Sequence, residues 1–190
     1  DPNQLDARWP ALTSDPTAPL LNRASAALYQ PGSALYPALY ALGVQSGLIH
    51  PDEPAPGGAS PIQAGSAQLG CRAPGDDLTW ATAVVLRCPA PFERLARQLE
   101  RERVAQLWRD LGLFTAPVAG LPTAAAIDEP ASTDPNALLG QGVLTMTPLH
   151  YARIVAAWAQ SGEVPTPRLI LAEQEPDGAW QTRSPIGGTV

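Results

Sequence analysis

Proline interrupts this chain so often that no long regular element can run through most of it. Prolines number 22 and glycines 16, together 38 of 190 residues or 20%. Proline lacks a backbone N–H and clashes with the preceding helical turn, so it stops or kinks a helix. That share still lies below the range that marks a disordered chain. The apolar residues, 45% of the total, are enough for a core, although only two are Phe and one is Met. The expectation is one domain of short helices tied by long, proline-stiffened loops.

The charge pattern excludes several partners. The formal net charge is −6, and all twelve basic residues are arginines, with no lysine anywhere. Nucleic acid and anionic membrane surfaces need clustered positive charge, so neither is expected to bind. No run of 18 apolar residues is present, so any membrane attachment is expected through a segment outside this chain. No signal peptide is visible. The sequence starts at Asp1-Pro2-Asn3 without Met and reads as an excised domain or processed fragment. The two cysteines, Cys71 and Cys88, leave two readings open. They are two buried thiols, or one disulfide closing a loop whose cross-link is worth about 3 kcal/mol in the chain-entropy model. A disulfide would place the protein in an oxidising compartment.

Residues 1–32 read as mostly loop, with a short helix near Leu5–Leu12 and with Trp9, Leu20 and Leu21 as anchors. Leu35, Leu39, Leu42 and Val44 mark a helix over 33–47, with Pro37 in the first turn and Gly47 as its end. Residues 50–77 read as loop. A helical part spans 71–112: a short helix over 78–88, then one long helix from Phe92 to Leu111, supported by the Glu93/Arg97 pair and ended by Gly112. Residues 113–140 read as loop with short extended pieces. Thr147-Pro148 predicts a helix start, N-cap followed by proline, running to Gly162. Leu169–Glu173, Asp177-Gly178 and Trp180–Thr182 predict a hairpin.

Three ordered segments then resemble one family. Asp1-Pro2-Asn3, Asn22-Arg23-Ala24 and Tyr29-Gln30-Pro31-Gly32-Ser33 resemble the approach to the nucleophile in penicillin-binding protein transpeptidase domains, which ends Y-x-P-G-S-x-x-K-P. Gly140-Gln141-Gly142-Val143-Leu144 and Thr147-Pro148-Leu149 resemble the family's G-Q-G-x-L-x-x-T-P-L stretch. Ser161-Gly162-Glu163 through Pro167-Arg168-Leu169 resembles the segment that follows. The resemblance implies the α+β fold of the transpeptidase and β-lactamase-like type. Because the family's outer strands lie beyond both ends of the match, it also implies that this single partial domain, residues 1–190, is mostly helical with little sheet. The 1–32 segment would be the lead-in, 33–47 the helix of the former nucleophile, and 140–190 the G-Q-G helix and C-terminal hairpin.

The same resemblance shows what is missing. Ser33 is present, but Tyr36 stands where the family has lysine. Lysine can be tuned to neutrality and take the serine's proton; a phenol with an ordinary pKa near 10 is a poor base at neutral pH. The family's Ser-x-Asn is similar to Arg87-Cys88-Pro89, so Arg87 and Pro89 replace the serine and asparagine. Some members carry a second cysteine upstream, as Cys71 is here, which favours the disulfide. Ile186-Gly187-Gly188-Thr189 is a loose echo of Lys-Thr-Gly. Ser33, Tyr36, Arg87 and Pro89 are thus vestigial positions, Ser33 serving as a helix N-cap, and Tyr40 and Gln141 are expected to line the old cleft. His50 and His150 read as surface residues and Asp76-Asp77 as a turn; no metal or cofactor is expected.

The expected function is a catalytically degenerate domain acting as a structural or interaction module in the cell envelope, outside the cytoplasm. Its partners would be peptidoglycan or other envelope proteins. The alternatives are an active serine transpeptidase or hydrolase using Ser33 with a non-lysine base, and a ligand-binding module that reuses an apolar cleft lined by Tyr36, Tyr40 and a Trp.

Overall fold

The computed structural model describes residues 2–115, 124 and 135–182. A 3-10 turn at Pro2–Gln4 leads into α1 (Leu5–Ser14) and α2 (Arg23–Ala26). Asn22 caps α2, its side chain accepting from the Ala24 N–H. A second 3-10 turn, Gly32–Leu35, passes directly into α3 (Tyr36–Gln45). The hairpin β1 (Ile62–Ala64) and β2 (Ala67–Leu69) follows, then α4 (Trp80–Leu86), α5 (Pro89–Gln98) and α6 (Arg101–Asp110). The last elements are α7 (Pro135–Leu138), α8 (Pro148–Ala159) and the hairpin β3 (Ala172–Gln174) with β4 (Trp180–Thr182). Both described sheets are two-stranded and antiparallel. Over the described residues the molecule is thus mostly helical with two small sheets.

The centre is α3, which packs against α4, α5 and α6. Leu35 and Leu39 are fully buried, and the Tyr36 ring lies flat on Phe92 with centroids 4.4 Å apart. Trp80 also meets Phe92, edge-on at 5.8 Å. Such aromatic pairs add to the area they bury. Leu95, Val104, Trp108, Leu113, Leu144, Met146 and Ile154 complete the core around them.

Several expectations need correction. The long helix over Phe92–Leu111 is two helices, because Leu99 and Glu100 are extended. At 100° per residue, Phe92, Leu95 and Leu99 form one stripe, and Val104, Leu107 and Trp108 form another roughly 140° away. A straight helix could bury one stripe only; the break buries Leu95 and Leu99 together with Val104 and Trp108. Trp9, Leu20 and Leu21 do not anchor the lead-in: they are 51%, 45% and 41% exposed, and α1 buries none of its residues. The 50–77 stretch is not all loop, since β1 and β2 turn at Gly65, which holds φ +58°. The C-terminal hairpin is present, with pairing from Ala172 rather than Leu169. Within 113–140, residues 116–123 and 125–134 lie outside the described residues, and the expected loop holds the short helix α7 at Pro135–Leu138.

The start of α8 is set by side chains. Thr147 accepts from the His150 N–H, and the His150 ring reaches back to the Thr147 N–H, a capping box with histidine in the usual Glu place. His150 is therefore not a surface residue; it is 4% exposed. Its Nε2 donates to the Thr115 carbonyl at 2.7 Å, and its Nδ1 accepts from the Thr147 hydroxyl at 2.8 Å. A carbonyl can only accept, so Nε2 carries the proton and Nδ1 must stay bare.

Two measurements follow from this packing. Phe92→Ala should cost about 3–5 kcal/mol in urea unfolding, because it opens a void beside the Tyr36 and Trp80 rings at a fully buried position. Burial, the main cause, holds the His150 pKa below its ordinary 6.5; the Thr115 carbonyl pulls it up and Arg153 pushes it down. The folded state then binds fewer protons than the unfolded chain. The stability this contributes is full above pH 6.5 and is lost as pH falls from there through the depressed folded value. His150→Gln should remove that part of the pH dependence in thermal unfolding between pH 7.5 and 5; an unchanged slope would refute the assignment.

Candidate functional site

The chain segments around Ser33, Cys71, Arg87 and Gln141 meet at one cavity of about 510 Å³. Backbone contacts bring the first and last of these together. Tyr29 and Met146 exchange two N–H···O bonds of 2.9 Å. The Gln30 side chain donates to the Gly142 carbonyl at 2.8 Å. The Gly32 N–H donates to the Gly140 carbonyl at 2.6 Å. Both glycines have positive φ, +53° and +69°. A Cβ on Gly140 would lie 2.6 Å from the Gly32 carbonyl oxygen, so no side chain fits between the two strands of chain.

Ser33 lies inside the 3-10 turn and lines the cavity. It does not cap α3: the cap position is Leu35, with no side-chain bond. The N-cap expectation fails because the 3-10 turn runs into the helix without an extended residue between them. Tyr36 also lines the cavity, but its side chain is only 2% exposed and stacked on Phe92. Burial pushes its phenol pKa up to about 12.

Arg87 ends α4 in the left-handed conformation, φ 57° and ψ 39°. It is exposed on the cavity rim, one residue before Cys88. Cys88 is bonded to Cys71, with an S–S length of 2.09 Å and Cα atoms 4.7 Å apart. The disulfide thus ties α4 and α5 to the chain leaving β2. Arg72, next to Cys71, lines the same cavity. Pro89 is the first residue of α5, where a missing N–H costs nothing. It presents buried ring carbons to the cavity.

Ser33, Tyr36, Arg87, Pro89 and Gln141 therefore share one site, together with Arg72, which the sequence did not single out. Its only signal was its place beside Cys71. Tyr40 is not among the lining residues; one turn on from Tyr36, it packs half-buried against the core. Among the described residues no Trp lines the cavity either, while Arg72, Arg87, Ser33 and Gln141 do, so the expected apolar cleft of Tyr36, Tyr40 and a Trp is not what the described residues form. His50 is exposed, its Nδ1 near the Asp52 N–H. His150 is committed to the α8 cap. Asp76 and Asp77 are exposed in a turn, where the Asp76 carbonyl accepts from the Leu78 N–H. Among the described residues no three His, Cys, Asp or Glu side chains cluster as metal ligands. The Ile186–Thr189 segment lies outside the described residues.

Comparison with known proteins places this arrangement in a family. The family model for the penicillin-binding protein transpeptidase domain matches residues 1–189. The peptidoglycan D,D-transpeptidase PbpA of Mycolicibacterium smegmatis is 30% identical over 188 residues, covering 92% of this chain and 37% of that protein. A crystal structure of the Mycobacterium tuberculosis protein PBPA superposes with a TM-score of 0.76 at 26% identity, covering 96% of this chain and 45% of that one. A penicillin G acyl-enzyme complex of penicillin-binding protein A from the same organism gives 0.73 at 25% identity, over 97% and 44%. The chain spans less than half the length of these relatives. With a matched frame along its whole length and Ser33, Gln141 and the second-motif segment gathered at one cavity, this chain belongs to the penicillin-binding protein transpeptidase domain family.

Proposed function

We propose that this chain is a catalytically degenerate transpeptidase domain. It serves peptidoglycan synthesis or division as a structural or interaction module in the cell envelope, outside the cytoplasm. The observation that carries this reading is Tyr36. It occupies the base position one turn from Ser33, and its phenol sits in the core against Phe92 with a pKa raised to about 12. At neutral pH about one molecule in 10⁵ would hold the phenolate needed to take a proton. The neighbouring positions repeat the loss. Arg87 brings a guanidinium, which only donates hydrogen bonds, where the family has a serine hydroxyl, and Pro89 has no polar side-chain atom. The Cys71–Cys88 bond fits an oxidising compartment.

One observation favours a serine acyl-transfer reading. Ser33 makes no capping bond and lines the cavity. A nucleophilic serine also needs a base in reach. Among the described residues, neither histidine nor any carboxylate lines that cavity.

The two readings separate in one experiment. The relative from Mycobacterium tuberculosis forms a penicillin G acyl-enzyme. Incubation of this chain with penicillin G should leave its intact mass unchanged. A mass increase of one penicillin, lost in Ser33→Ala, would overturn the degenerate reading in favour of an active serine.

A further inference from the structure

The neutral ring of His150 ties the start of α8 to the chain that leaves α6. Nδ1 accepts from the Thr147 hydroxyl at 2.8 Å and from the Thr147 N–H at 3.4 Å. Nε2 donates to the Thr115 carbonyl. Thr147 is the chain neighbour of Met146, which pairs with Tyr29 through two N–H···O bonds. Earlier in the same segment, the Gly140 carbonyl holds the Gly32 N–H, and Gln141 lines the Ser33 cavity. The ring therefore stands at the base of one cavity wall.

A second proton on this ring would meet donors and positive charge. The Thr147 hydroxyl can turn and accept, but the Thr147 N–H is fixed by its peptide plane and would point at another N–H. His150 is the third residue of α8, where the helix dipole disfavours a cation. Arg153, one turn further on, is buried and held by its Nε bond to the Pro165 carbonyl, and its charge acts on the ring. The charged groups of the neighbouring elements are engaged elsewhere. On α2, which packs against α8, Arg23 turns to the Thr17 and Ala18 carbonyls. On the last turn of α6, Arg109 binds Glu102 and Gln106, and Asp110 accepts from Gln106. Of the ring's described partners, only the Thr115 carbonyl favours the cation.

We infer that His150 is a proton-operated latch on the Ser33 cavity: a proton added to its ring frees the Thr147 cap and, with it, the 140–146 wall from the Tyr29–Gly32 segment. The Tyr36, Phe92 and Trp80 rings and the Cys71–Cys88 bond include no residue of the latch, so α3, α4 and α5 stay packed while the wall opens. In the proposed envelope location the domain meets external pH directly. The latch operates whether or not Ser33 reacts.

Amide hydrogen exchange on the 190-residue chain, read by NMR and corrected for intrinsic rates, tests it. The Tyr29, Gly32 and Met146 N–H groups, each bonded across this wall, are the reporters; the Leu99 N–H, bonded to the Leu95 carbonyl, is the control. The closed ring binds fewer protons than the open one, so closure weakens as pH falls below 6.5. Between pH 7.5 and 5 the reporters should lose about fivefold of their protection or more. At pH 5 their exchange should be insensitive to low urea, the mark of a local opening, while Leu99 exchange rises with urea. His150→Gln keeps a capping side chain without a titrating ring and should hold the reporters at their pH 7.5 protection. Arg153→Gln should shrink the loss, Arg153→Lys should restore it, and His50→Gln should change nothing. The latch is overturned if the reporters follow urea as Leu99 does, if their protection is equal at both pH values, or if His150→Gln loses as much as the parent. Should His150→Gln fail to fold, equal losses in the two Arg153 variants would overturn it.

Discussion

A tyrosine ring lying flat on a phenylalanine ring holds the middle of this molecule. Tyr36 from α3 and Phe92 from α5 stack at 4.4 Å, and Trp80 from α4 closes the group edge-on. Three helices meet through these rings, so their relative placement depends on them. The same contact decides the chemistry. A phenol buried among rings is stabilised as the neutral form, since the phenolate would lose its hydration with nothing to replace it. The position from which a base would serve Ser33 has become part of the core.

The cavity is built mainly from backbone contacts. The Gly32–Gly140 approach, the paired Tyr29 and Met146, and the Gln30 bond to the Gly142 carbonyl join segments as much as 117 positions apart in sequence, from Tyr29 to Met146. The disulfide joins the other wall. None of these contacts uses the Arg87 or Pro89 side chain. Both residues can therefore differ from the family's pattern while the frame around them keeps its shape.

How much of this was legible depended on the range of the forces involved. Thr147-Pro148 announced α8 because a cap and a proline at N1 act within one turn. The Asp177-Gly178 turn announced the last hairpin for the same reason. The cysteines by themselves left their pairing open, and the family frame favoured the bond that the structure contains. The helix over Phe92–Leu111 was misread because two apolar stripes out of phase resemble one loose stripe until the partners of each are known. His150 was misread because the carbonyl that holds it lies 35 positions away, at Thr115. Trp9 looked like an anchor from its size, yet no element covers it.

The sequence by itself determined the family, the caps and turns that start its local elements, and the identity of the residues at the family's motif positions. Those properties reside in residue types and short spacings, which a linear chain displays directly. Only the tertiary structure decided that Tyr36 is a core residue, that Arg72 joins Arg87 at one cavity, and that His150 is buried. Each of these depends on which distant segment lies alongside, and that is set by close backbone approach and by the filling of the core.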